Sequence, residues 1–302
     1  MTMRCDLNLR CVAPVGDHCG EGAVWCAEEA ALYWTDVNRF LVHRLVLRTG
    51  AVETWFFDEP CTALSLTSRA GTLLLATATR LLLWQPAGDI RTDHGFALAR
   101  WPEARLNEGR SGPGGEFWVG SMTNNVGAQG EVLPISGARG ELFRIIDGAP
   151  PQRLKDGLTI SNTMCFSPGH RHLYFGDSAA NTIWRYAYDA TTRSITDETV
   201  FFAGFDRGAP DGSAIDADGY LWNARFGGGC LVRIAPNGSI DRIAELPISN
   251  PTTCAFGGPD LHTLFITSAA IHLPRHERLA GSLFALDAPV PGLPEYRFVL
   301  SG

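Results

Sequence analysis

LYWTDV at 32–37 is the first of six copies of one short apolar, aromatic and β-branched pattern, and the spacing of those copies decides the fold. The others are LLLATA (73–78), FWVGSM (117–122), LYFGDS (173–178), LWNARF (221–226) and LFITSA (264–269). Successive starts differ by 41, 44, 56, 48 and 43 residues, about 46 on average, which is the length of a β-propeller blade built as a four-stranded sheet. Turn clusters precede the copies: RAGT (69–72), PGGE (113–116), SPGHRH (167–172), DADGY (216–220) and GGPDLHT (257–263). Gly, Pro and Asp supply the backbone angles that tight turns require. A further strand-like run follows each copy: HRLVL (43–47), LLLW (81–84), ELFRII (141–146), IWRYAY (183–188), LVRI (231–234) and LFAL (283–286). No convincing amphipathic helix lies between them. The pattern predicts an all-β chain: a six-bladed β-propeller of four-stranded antiparallel blades around a central channel, one domain over 1–302.

A ring of blades must close or leave sheet edges open to other chains. Closure is expected from a terminal segment, around Leu9–Val12 or Tyr296–Leu300, adding a strand to a blade formed from the opposite terminus. The longest spacing contains NNVGAQGEVLPISGARG (124–140). A solvated hairpin loop is its simpler reading, and a lid over the channel is the alternative.

Composition narrows the partners. With 45% hydrophobic and 19% charged residues the chain reads as a well-filled globule. A net charge of −7 without any Lys/Arg cluster argues against nucleic acid, which demands a basic surface. No run of 18 apolar residues marks a membrane span. The N-terminal MTMRCDLNLRCVAPVG lacks the apolar core of a signal peptide. The eight cysteines (5, 11, 19, 26, 61, 165, 230 and 254) form no CxxC pair. Reduced thiols in a cytoplasmic protein are therefore expected; the oligomeric state is left open, with a monomer compatible.

HExxH, zinc-type Cys/His spacing and a Walker loop are missing, and so is GxSxG, whose absence leaves the serines without a nucleophile elbow and argues against nucleophilic serine chemistry. His170 and His172 sit in a turn, and His272 and His276 in a polar loop; a solvated role is the simpler reading for each. Three polar residues stand where an apolar strand should begin. Glu21 lies in CGEGAVW, Asn162 in LTISNTMCFSP and Asp211 in APDGSAIDADGYLW, each about ten residues ahead of a signature copy. In a propeller such positions face the channel from one end, so two carboxylates and an amide can converge on a metal. Taken singly, Asp211 is also good turn chemistry before Gly212, Asn162 a strand-end cap and Glu21 an ion-pair partner.

Phrases along nearly the whole chain resemble the SMP-30/gluconolactonase/LRE family of six-bladed propellers. They are Gly20-Glu21-Gly22 with Trp25, YWTDV, Arg105-Leu106-Asn107 with Gly120-Ser121-Met122, Ile160-Ser161-Asn162, Phe166-Ser167-Pro168, Tyr174 to Asp177-Ser178, Pro210-Asp211-Gly212 and CAFGGPDLHTLF (254–265). The resemblance implies a divalent metal held by Glu21, Asn162 and Asp211, substrate oxygens bound by Arg105 and Asn107, and Asp211 as general base. It implies a hydrolase that opens a sugar lactone to the aldonic acid. The all-oxygen ligand set suits Ca²⁺, Mg²⁺ or Mn²⁺, with Zn²⁺ or Fe²⁺ compatible but not selected. Four positions depart from the family pattern: Glu108 replaces Asp, Thr163 replaces Gly after the metal Asn, Ala23 follows Gly22, and Asn125 stands where some relatives place an acid on the substrate. The substrate is thus not transferable. The alternatives are a metal-dependent hydrolase of another ester, non-sugar lactone or phosphotriester, and a non-catalytic binding propeller suggested by the single YWTD.

Overall fold

In the computed structural model, which describes residues 7–273 and 276–301, all six signature runs are the second strands of six sheets arranged in a ring. These strands are Ala31–Asp36, Leu73–Thr77, Phe117–Thr123, His172–Asp177, Leu221–Phe226 and Thr263–Ser268. The first strands of the sheets, Gly20–Cys26, Cys61–Thr67, Ala104–Ser111, Ser161–Phe166, Ala209–Ile215 and Pro251–Gly257, pack against one another around the central axis.

Six separate apolar clusters hold the ring, one at each junction between neighbouring blades. This explains why the signature strands are continuously apolar rather than alternating. Each blade is covered on both faces, so both sets of side chains are buried. In blade 1, Ala31 and Tyr33 face blade 2, while Leu32 and Trp34 face blade 6. The outermost strand of that blade, Ala51–Phe56, has solvent along it and is mostly exposed.

Closure comes from the N-terminus. Arg10–Ala13 forms the fourth strand of blade 6, antiparallel to Leu283–Asp287, with Arg10 opposite Ala285 and Cys11 opposite Phe284. The C-terminal segment plays a different part. Arg297–Phe298 pairs in parallel with Leu66–Thr67 on the first strand of blade 2. On its way there the segment crosses one end of the channel. Gly292 bridges Asp216 of blade 5, Glu295 lies 3.6 Å from Arg110 of blade 3, and Tyr296 packs edge-on against Phe166 of blade 4. The voids beside Arg110 and Glu295 measure ≈ 20 and ≈ 10 Å³, about the room of a single water each.

The two Asp residues that end LYWTD and LYFGD do the same structural work in blades 1 and 4. Asp36 accepts the backbone N–H groups of His18 and Cys19, and Asp177 those of Thr159 and Ile160. Both carboxylates thereby tie down the backbone just ahead of Glu21 and Asn162. No helix is long and apolar enough to cross a membrane among the described residues. The seven described cysteines are free thiols, and Cys5 lies outside the described residues.

Candidate active site

Every first strand carries a β-bulge at one equivalent place: between Glu21 and Val24, Cys61 and Ala63, Leu106 and Gly109, Asn162 and Met164, Pro210 and Ser213, and Pro251 and Cys254. A bulge adds an unpaired residue and re-aims the side chains beside it. Here it brings Glu21, Asn107, Asn162 and Asp211 to the open end of the channel, where all four line a cavity of ≈ 170 Å³ together with Arg105 and Asn125. A larger hollow of ≈ 440 Å³ between turns of blades 1 and 2 presents Glu28, Glu29, Arg69 and Arg297, and its Arg297–Glu28 pair is exposed.

The bulge in blades 1 and 4 needs a left-handed residue directly after the site residue. Gly22 supplies it in blade 1 with φ +59°, and a Cβ there would meet the backbone of Ala63 at 3.0 Å. In blade 4 the same place is held by Thr163 at φ +47°, a conformation that costs a β-branched residue on the order of 1–3 kcal/mol. The threonine hydroxyl offsets this cost. It donates to the Asp211 carbonyl at 2.6 Å, and Asn223 Nδ2 donates to that same carbonyl at 3.0 Å. Thr163 thus links the Asn162 strand to the Asp211 strand. Thr163→Gly is expected to change stability by only about 1 kcal/mol, since relieved strain and a lost hydrogen bond oppose each other. Turnover of the substrate should fall about tenfold in the glycine variant and survive in Thr163→Ser, measured as kcat/KM beside a melting curve. Equal activity in all three forms would show that the hydroxyl positions nothing.

A chain of hydrogen bonds runs around the floor of the cavity. Arg105 donates through Nε and Nη2 to Asn125 Oδ1, at 2.9 and 2.8 Å, and through Nη1 to Asn107 Oδ1 at 2.7 Å. Asn107 Nδ2 donates to the Ser161 carbonyl at 2.8 Å and to Asn162 Oδ1 at 3.3 Å. Asn162 Nδ2 donates to Ser178 Oγ at 2.8 Å, and Ser178 donates to the Pro210 carbonyl at 2.6 Å. With its amide nitrogen held by Ser178, Asn162 turns its oxygen toward the cavity side. Asn162 and Asp211 are only 4% and 6% exposed.

The electrostatics are those of a site short of positive charge. Burial pushes the Glu21 carboxyl well above its ordinary range, and the nearby Asp211 pushes it further. Burial raises Asp211 likewise, with Glu108 adding to it and the Gly212 N–H partly opposing. Glu108, buried beneath the floor, is pushed up to about 7 by desolvation. Burial lowers the Arg105 guanidinium to about 10, against the pull of Cys19, Glu21 and Asp211. Arg105 thus faces Glu21 and Asp211, while Arg110 acts on Glu108 and Arg225 adds a smaller pull on Asp211, and the carboxyls stay raised despite all three. Asp211 Oδ1 is buried without any hydrogen-bond partner, a costly condition for a carboxylate oxygen. Among the described residues no three His, Cys, Asp or Glu side chains gather in ligating geometry; the third member here is an amide. Two carboxylates and an amide oxygen, one of them orphaned, fit a hard divalent cation.

Sequence reading missed several contributors. Asn223 and Arg225 lie in LWNARF, the one signature copy with an amide and a guanidinium inside the strand. That anomaly was a usable signal. Arg225, 1% exposed, donates to Asn181 Oδ1 and to the Gly208 carbonyl, bracing the turn ahead of Asp211. His272, read as a solvated loop residue, is exposed but borders the cavity. The 124–140 segment is also more than a solvated loop. Asn125 and Ile135 line the cavity, and the Gly130 carbonyl accepts Asn38 Nδ2 of blade 1 at 2.8 Å. The segment reaches from blade 3 across to blade 1 beside the channel mouth.

A six-bladed propeller with one plugged end, and a carboxylate–amide cluster under a small cavity at the other, defines a class of small-molecule sites. The model of the SMP-30/gluconolactonase/LRE-like region matches residues 19–270, and the chain belongs to that family. Among its relatives are the 6-deoxy-6-sulfogluconolactonase of Pseudomonas putida, 32% identical over 96% of this chain and 98% of that one, and the pentonolactonase XacC of Haloferax volcanii, 30% identical over 92% and 94%. The structure of regucalcin from Agrobacterium tumefaciens, described as a calcium-binding protein, superposes with a TM-score of 0.88 at 29% identity, covering 96% of both chains.

Proposed function

We propose that this protein is a divalent-metal-dependent lactonase that opens a sugar lactone to the corresponding aldonic acid. The observation that carries this reading is the orphaned Asp211 Oδ1, buried beside Glu21 and Asn162 under a cavity sized for one small molecule. Lactonase relatives near 30% identity over almost the whole chain support the reaction class. Free cysteines fit the cytoplasmic location expected from the sequence.

Glu21, Asn162 and Asp211 would hold the ion. When bound, a divalent cation acts as a Lewis acid toward a carbonyl oxygen and lowers the pKa of water. The remaining work falls to the chain. Asp211 accepts the proton of the attacking water as its oxygen adds to the lactone carbonyl carbon. The ring C–O bond then breaks, and that proton passes to the departing ring oxygen, giving a free carboxylic acid and a hydroxyl. Arg105 offers its remaining Nη2–H to a ring or hydroxyl oxygen from a geometry that Asn125, Asn107 and the Leu106 carbonyl already hold, so little reorganisation accompanies the developing negative charge. Asn107 keeps the Asn162 oxygen oriented. The plugged far end confines substrate and water to one mouth.

Metal analysis with a pH-stat assay on a lactone panel, before and after exhaustive chelation, tests the reading. Chelation is expected to abolish hydrolysis, and adding back Ca²⁺, Mg²⁺, Mn²⁺, Zn²⁺ or Fe²⁺ singly should restore it and rank the ions. Full activity after chelation removes the metal. Failure to open any lactone, with turnover of a phosphotriester or acyclic ester instead, removes the lactonase.

A further inference from the structure

Above its polar floor the cavity changes character. Val37, Met122, Ile135, Ile160, Phe226 and Ile271 form an apolar collar in the cavity wall. They come from blades 1, 3, 4, 5 and 6, with Ile135 delivered by the 124–140 segment. Among the described residues the charged groups of the cavity are Glu21, Arg105 and Asp211, and its other ionisable side chains are Cys19 and the exposed His272. Several polar oxygens of the cavity wall are already committed, which leaves, among the described residues, Asn125 Nδ2 and the exposed His272 ring as its uncommitted groups. Ser178 Oγ is bonded to Asn162 and to the Pro210 carbonyl, and Asn125 Oδ1 holds Arg105 twice. A lactone whose carbonyl sits over the floor, with its ring oxygens toward Arg105, must send its exocyclic arm upward into this collar.

We infer that the pocket selects a neutral lactone with an apolar end to its exocyclic arm, such as a 6-deoxyhexonolactone ending in a methyl group, over one ending in hydroxymethyl or sulfonate. The inference rests on the lactonase reading. A terminal hydroxyl placed against Phe226 and Ile271 loses its water and gains no partner, whereas a methyl group gains contact there. A sulfonate would lose still more, because among the described residues the collar supplies no guanidinium or ammonium. The preference separates this chain from the activity named for its Pseudomonas putida relative.

Lactones matched at every ring centre isolate the effect. The metal-replete full chain is assayed with L-mannono- against L-rhamnono-1,4-lactone, L-galactono- against L-fucono-1,4-lactone, and D-gluconolactone against its 6-deoxy and 6-sulfo forms. The methyl member of each pair is expected to show a kcat/KM about tenfold or more above its partner, the range for one group in an apolar pocket, with the 6-sulfo lactone slowest. Ile271→Asn should bring the ratios toward one while leaving the melting temperature unchanged, because its side chain is only half-buried. Equal or faster opening of the hydroxymethyl or sulfonate member overturns the preference and leaves the lactonase standing. Opening of none of them overturns the lactonase, and the preference with it.

Discussion

Asp211→Ala is expected to lower kcat/KM for lactone opening by about 10³-fold, within the 10²–10⁴ range that a positioned general base contributes. The fold should persist, and stability supplies the internal control. Burial raises the Asp211 carboxyl, so the metal-free native state keeps its proton to higher pH than the unfolded chain does. Native stability contributed by that proton is therefore present below the unfolded aspartate value of about 3.9 and is lost as pH rises toward the higher folded value. At neutral pH the carboxylate is a liability of the metal-free protein. Asp211→Asn, which keeps the shape and cannot ionise, should melt at an equal or higher temperature than wild type without metal, while being as inactive as the alanine form. Loss of activity with gain of stability marks a group retained for chemistry rather than folding. Wild-type activity in Asp211→Asn would remove the base from the mechanism.

The second large effect is on the ring itself. A chain starting at Pro14 lacks the Arg10–Ala13 strand and its partly buried Leu7, Leu9 and Val12, which pack on the clusters at the two junctions of blade 6. Their apolar burial and the lost ladder together amount to on the order of 3–5 kcal/mol. At about 2–4 °C per kcal/mol the melting temperature should drop by about 10 °C. The edge of Leu283–Asp287 would also lie open, so the truncated protein should associate in light scattering at concentrations where wild type does not. An unchanged melting temperature in a monodisperse sample would show that the ring does not depend on this strand. The Arg10 and Asn8 contacts with Asp287 are exposed, and substituting them alone should matter far less.

The architecture was legible in the sequence because its physical cause is local and repeated. A strand buried on both faces is apolar along most of its length, so runs such as LYW, LLL and LYF mark all six blades. Glu21, Asn162 and Asp211 were legible for the opposite reason, as polar residues breaking an apolar rule at matching places. Arg105 and Asn107 carry no such signal, since RLNEGR reads like any polar strand; only their resemblance to a family motif raised them.

What the sequence determined by itself was therefore the blade count, the second strand of each blade and the three oxygen donors facing the channel. Only the tertiary structure decided which terminus closes the ring and which plugs its far end, because both terminal segments have equally plausible strand character. The bulge shared by all six first strands was likewise invisible. It is a property of register between strands, and in blade 4 it holds a threonine in a conformation that its sequence argues against. The apolar collar came last of all. Its six residues lie between positions 37 and 271 and become neighbours only when the ring closes, since a propeller converts distance along the chain into proximity around one axis.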